Sequence, residues 1–186
     1  RILWDDQDPT DDPRRRLKPD NEIRRVVLCA GKVYFDLYEA RELRKAYYVY
    51  LMRIEQFYPF PHNALATDLD RFQNADIIWC QEEPKNMGAW TFLRDRLDSV
   101  LSEINHPCVQ SKYVGRVEAA SPATGLMKKH IAEQSALVNE ALTIPKSKLQ
   151  RRAISTNVPT KKNTQKPKKK PVVKIAAKAP PRRRPS

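Results

Sequence analysis

Short β-branched runs that alternate with longer segments of helical period constrain this chain more than any other feature. Ile23 to Ala30 (I-R-R-V-V-L-C-A) reads as a strand, and beyond Gly31 the apolar positions running from Val33 and Leu37 through Ala40 and Leu43 recur every three or four residues. The alternation returns with a strand over Tyr48 to Ile54, a helix over Pro61 to Phe72 with Ala64, Leu65 and Leu69 on one side, and a strand over Ala75 to Cys80. A helix from Gly88 to Ile104 carries Phe92, Leu93, Leu97, Val100, Leu101 and Ile104 as a stripe wide enough to cover a sheet. A short strand, Lys112 to Val117, and a last helix with Met127, Ile131, Val138 and Leu142 towards the core complete the order. Strands joined by helices need crossovers that return to the same end of a sheet, so the expected fold is α/β, with an open, mainly parallel sheet.

The net charge of +13 resembles a nucleic-acid signature until it is divided along the chain. Residues 143–186 hold 15 Lys or Arg and no Asp or Glu; removing those from the total of 35 basic residues leaves 20 against 22 acidic ones over residues 1–142. The expected organisation is therefore a linker or extended segment over residues 1–21, an exposed loop around Asp5 to Pro13, an α/β domain over 22–142, and a disordered Lys/Arg/Pro-rich tail over 143–186. Arg1 stands where an initiator methionine would, and Arg1-Ile2-Leu3-Trp4 reads as extended backbone, so the expectation is a chain with something upstream of it. Cys29, Cys80 and Cys108 are odd in number and widely spaced, which suits a reducing compartment better than a disulfide framework or a zinc site. No apolar run is long enough for a membrane span, so no membrane partner is expected.

The most informative stretch is Trp79 to Trp90, W-C-Q-E-E-P-K-N-M-G-A-W, expected to leave a buried strand, pass two adjacent carboxylates and enter a helix after Asn86 and Gly88. Carboxyl ends of strands and the helix N-termini beyond them are where open α/β sheets meet ligands and partner domains, which makes Glu82, Glu83, Asn86 and Trp90 candidate domain-interface residues. The alternative is that the glutamates only cap helix dipoles or pair with basic neighbours. They are no acid/base pair, because adjacent side chains diverge on a regular backbone. Gly31-Lys32 lacks the spacing of a Walker loop and reads as a tight turn. His62, His106 and His130 show no metal-ligand spacing, and Cys29 and Cys80 read as small buried hydrophobes.

This string resembles the signature of the C-terminal domain of the thiamine diphosphate-dependent decarboxylase component of 2-oxoglutarate dehydrogenase, in the transketolase-like superfamily. Three further stretches agree in order: Arg25 to Tyr34 is similar to the family's R-V-V-x-C-S-G-K-V-Y-Y turn, with Ala30 for Ser and Phe35 for the second Tyr; Arg53 to Pro61 is similar to R-I-E-Q-x-Y-P-F-P; and Tyr113-Val114-Gly115-Arg116 is followed by Ala119 to Gly125. The resemblance runs from about Arg1 to Leu142 and implies an enzyme that decarboxylates 2-oxoglutarate in the tricarboxylic acid cycle and passes a succinyl group to a lipoyl-bearing succinyltransferase. It implies thiamine diphosphate and Mg²⁺ in the complete enzyme, held by upstream domains and not by this chain, whose four glycines stand in no cofactor-binding context. No catalytic residue is assigned. The resemblance also implies a homodimer and, for Arg53, Gln56, His62 and Asn63, a place in an effector site for acetyl-CoA or AMP; the alternative for Arg53 and Gln56 is that they merely terminate a strand. His62 and Asn63 stand where effector-responsive members place arginines, which removes phosphate-holding charge.

The motifs look more like bacterial than mitochondrial members, so the cytoplasm is expected ahead of the matrix. The tail is similar in composition to nucleic-acid-binding extensions, with no aromatic residue for base stacking; a solvated extension with no partner is the alternative. Two functions therefore stand: a C-terminal interface and regulatory domain of the dehydrogenase, or a stand-alone binding module tethered to nucleic acid by its tail.

Overall fold

The computed structural model describes residues 1–6 and 16–144. The disordered tail expected beyond Leu142 lies outside the described residues from position 145 onward; Thr143 and Ile144 are described, and Ile144 is buried.

Five strands form one sheet in the order β1-β3-β2-β4-β5: β1 (Ile2–Leu3), β2 (Arg25–Cys29), β3 (Val49–Ile54), β4 (Asp76–Pro84) and β5 (Lys112–Arg116). The four long strands run parallel, and β1 pairs antiparallel with β3 at the edge. Four helices connect or follow them: α1 (Val33–Arg44), α2 (His62–Asp70), α3 (Trp90–Glu103) and α4 (Met127–Leu142). The α/β architecture expected from the alternation is present.

Side chains alternate across the sheet, and each face has its own core. Val26, Leu28, Tyr50, Met52, Ile54, Ile77 and Trp79 pack with α2 and α3, whereas Val27, Cys29, Val49, Leu51, Ile78 and Cys80 pack with α1 and α4. The central strands are buried on both faces, which explains why they read as continuous β-branched runs. On α3 the expected stripe holds, with Leu93, Leu97, Val100 and Leu101 fully buried.

Three local expectations differ from the structure. The extended reading of Arg1 to Trp4 holds, since β1 pairs with β3, but Asp5 does not begin an exposed loop: it is buried against Arg41 of α1, to which both its carboxylate oxygens are bonded, while Leu51 N–H donates to Asp5 Oδ2 at 2.8 Å. Met127 and Ile131 do not face the core; they are exposed, and the buried residues of α4, Leu137, Val138, Ala141 and Leu142, all lie in its second half. Ala64 is likewise on the exposed side of α2, since Leu65, Asp68 and Leu69 supply the buried face.

Arg25, at the amino end of β2, closes α4. Its Nη1 reaches the carbonyls of Glu140, Ala141 and Thr143 at 2.8–2.9 Å, satisfying helix-terminal acceptors that would otherwise be unpaired. Burial lowers the Arg25 pKa, opposed by the nearby Asp76 and Glu140 carboxylates.

Candidate functional site at the carboxyl ends of the strands

The chain leaves β2 towards β3 on one side and later lays β4 on the other, so the sheet has its topological switch point between β2 and β4. At such a point the loops beyond the strands part and leave a crevice. A cleft of about 540 Å³ lies there, lined among others by Glu55, Phe57, Tyr58, Trp79, Glu83 and Phe92. The first turn beside it is set by Gly31 at φ 68°, where a Cβ would meet nothing within 4 Å. Glycine is favoured there by backbone conformation and not by lack of room. The Gly31 N–H donates to Glu55 Oε1 at 3.3 Å.

In the W-C-Q-E-E-P segment the strand expected to end at Cys80 runs further: β4 continues to Pro84 and pairs with β5 through a register shift between Cys80 and Pro84. Its organiser is Gln81, buried to 3 % exposure. Gln81 Oε1 accepts from the Trp79 indole at 2.8 Å and from the Trp90 N–H at 3.1 Å, which caps α3; Nε2 donates to the Met87 carbonyl at 2.7 Å and to the Pro84 carbonyl at 3.2 Å. One amide thus fixes both ends of the turn. Gly88 fits against it at φ 67°, and a Cβ there would come within 2.8 Å of Gln81 Nε2.

The candidate residues separate into different environments. Glu82 accepts from Gln134 Nε2 of α4 at 2.8 Å, whereas Glu83 lines the cleft, so the adjacent carboxylates diverge as backbone geometry requires. Asn86 binds the backbone of Ala119 through both its carbonyl and its amide, tying the β4–α3 turn to the segment after β5. Trp90 is buried, with its ring 5.6 Å from Tyr113. Arg53 lies on the α1 face, its guanidinium 4.1 Å from the Tyr34 ring centre; Gln56 is exposed beside the Tyr58 carbonyl. His62 and Asn63 begin α2, where His62 Nε2 is 2.6 Å from Glu103 and Asn63 is exposed. The sheet therefore does not gather these four around one point: Arg53 extends towards α1, and α2 packs on the opposite face.

His106 and the thiols serve the fold. His106 is buried, accepting the Cys108 N–H at Nδ1, so Nε2 carries the proton and donates to the Phe72 carbonyl at 3.1 Å. Burial pushes the Cys29 thiol well above its ordinary range and the Cys80 thiol up to about 12. With a disulfide dye at pH 8, we expect Cys108 to react in the native protein and Cys29 and Cys80 only after unfolding, read as one thiol against three. Rapid labelling of all three in the native state would contradict the burial.

Among the described residues no three His, Cys, Asp or Glu side chains converge on a point that could hold a metal. No helix among them is long and apolar enough to cross a membrane.

Fold and strand ends together define a doubly wound α/β lobe with a cleft at its switch point. The chain belongs to the 2-oxoglutarate dehydrogenase C-terminal family, whose profile matches residues 2–142. It is 54% identical over 142 residues to the 2-oxoglutarate dehydrogenase E1 components of Brucella anthropi, Brucella ovis and Brucella canis, a match covering 76% of this chain and 14% of each relative. The chain thus spans about one-seventh of the length of these curated relatives.

Proposed function

We propose that this chain acts as the C-terminal interface and regulatory domain of a 2-oxoglutarate dehydrogenase and turns over no substrate alone. The 54% identity to E1 components carries the reading. The complete enzyme would use thiamine diphosphate and Mg²⁺, held by upstream domains, to decarboxylate 2-oxoglutarate and hand the succinyl group to a lipoyl-bearing partner. An effector such as acetyl-CoA or AMP would engage Gln56 and Asn63, while Arg53, stacked on Tyr34, and His62, paired with Glu103, lie on opposite faces of the sheet and would not share that contact. The exposure of Gln56 and Asn63 supports this role. The same reading favours the bacterial cytoplasm.

For the interface role we propose the outer side of α1 and α4. There Leu43 is 79 % exposed and Ile131 57 %, flanking a groove that also takes in Ala40 and Val138; Phe35 and Met127 are exposed on the same two helices. Apolar side chains so placed on two neighbouring helices suit burial against another lobe of the enzyme dimer. In the complete enzyme, Leu43→Glu with Ile131→Glu is expected to shift the dimer to monomer in sedimentation velocity and to lower decarboxylase activity in parallel. Both positions are exposed, so unfolding of the domain should move by only about 0.5 kcal/mol. An intact, active dimer would exclude this surface.

A further inference from the structure

We infer that the switch-point cleft is a docking site for an arginine side chain presented by a partner protein. Among the residues lining it are two carboxylates, Glu55 and Glu83, and no Lys, Arg or His, in a domain whose acidic and basic residues are nearly balanced. The glutamates stand on either side of the β2 end, since β3 and β4 flank β2. The same lining includes aromatic side chains: the exposed Tyr58, then Phe57 and Phe92, with Trp79 only 1 % exposed beneath, its ring 6.0 Å from that of Phe57 at 72°.

That combination selects for ligand chemistry. A phosphate or carboxylate would meet two like charges and no counter-charge among the lining residues. An apolar group would make no use of the two carboxylates at its edge. A guanidinium satisfies both demands, because its planar faces stack on aromatic rings while its edge donates to carboxylates in a fork. Arginine is also the charged residue enriched in protein interfaces. The domain already uses the pairing: Arg96 lies 3.9 Å from the centre of the Phe92 ring, and Arg53 stacks on Tyr34.

The test uses the full chain, labelled with ¹⁵N and titrated with the blocked tripeptide Gly-Arg-Gly and with its neutral isostere Gly-citrulline-Gly. The arginine peptide should shift the amides of Gly31, Glu55, Gly88 and Ala89 saturably, and citrulline should bind at least tenfold more weakly. Glu83→Gln should also weaken binding at least tenfold while leaving the circular dichroism unchanged. Equal titration by arginine and citrulline peptides would overturn the proposal, as would shifts spread over exposed glutamates such as Glu39 and Glu118, or no saturable binding. Tetramethylammonium binding as tightly as the peptide would make this a small-cation pocket and overturn the docking claim. None of these outcomes depends on decarboxylase activity, so the proposal can fail while the dehydrogenase reading stands.

Discussion

Replacing Gln81 by leucine is expected to lower the free energy of unfolding by about 3 kcal/mol, read from urea denaturation followed by tryptophan fluorescence. The side chain is close in size, so the loss comes from hydrogen bonding and not from a cavity. It leaves the Trp79 indole and the Trp90 N–H without their acceptor and the Met87 carbonyl without its donor, while the Pro84 carbonyl keeps the Met87 N–H at 2.8 Å. Each buried group left unpaired costs about 1–3 kcal/mol, less whatever water recovers at the cleft. The β4–α3 turn should lose its fixed form, and the amides of residues 83–90 should exchange faster than those of β2. By contrast Glu83→Gln, two residues along and exposed, should change stability by no more than about 0.5 kcal/mol. Equal effects of the two substitutions would show that Gln81 is not the organiser.

The second large effect is expected at the pair Asp5 and Arg41. Both side chains are fully buried, and two hydrogen bonds join them. Burial opposes the Arg41 charge, but the Asp5 hydrogen bonds and charge prevail and hold its pKa above the ordinary value. Removing one partner strands the other charge, so Arg41→Met or Asp5→Leu alone should cost about 3–5 kcal/mol. Removing both should cost less than the sum of the two single losses, because neither partner is left stranded, although Glu42, 3.4 Å from Arg41, then keeps only Arg16 as its counter-charge. A double-mutant cycle by chemical denaturation checks this: strictly additive losses would mean that the two groups are not coupled. Single substitutions should also release β1 from β3, since Asp5 is the anchor that follows it.

Much of the fold was legible because each apolar period has one structural solution. The runs around Val26, Tyr50 and Ile78 are buried on both faces and could be little other than central parallel strands. Legibility failed where a segment's state depends on a distant partner. Arg1 to Trp4 reads as extended backbone, but nothing local says that β3 offers it an open edge or that Arg41 awaits Asp5. Met127 and Ile131 carry a valid helical period, but that period cannot say whether a neighbour within this chain or another surface covers it.

The candidate site was legible in place and not in detail. Glu82 and Glu83 are conspicuous in the sequence by their charge, whereas Gln81 holds the turn together. A signal for Gln81 existed: period-two alternation continued from Ile77 and Trp79 puts it on the buried α3 side. A buried amide there had to satisfy donors and acceptors, and the glycine seven residues later leaves the room for it. No local signal could show that Arg53 and His62 lie on opposite faces of the sheet; that follows from strand parity combined with the side on which α2 crosses over.

The most direct measurement is release of carbon dioxide from 2-oxoglutarate labelled at its first carbon, with thiamine diphosphate, Mg²⁺ and an artificial electron acceptor. We expect none from the purified chain alone and steady release once the chain is expressed in continuity with the two preceding domains of an E1 component. Release by the isolated chain, or full activity of those preceding domains without it, would contradict a C-terminal lobe that serves by contact and not by chemistry.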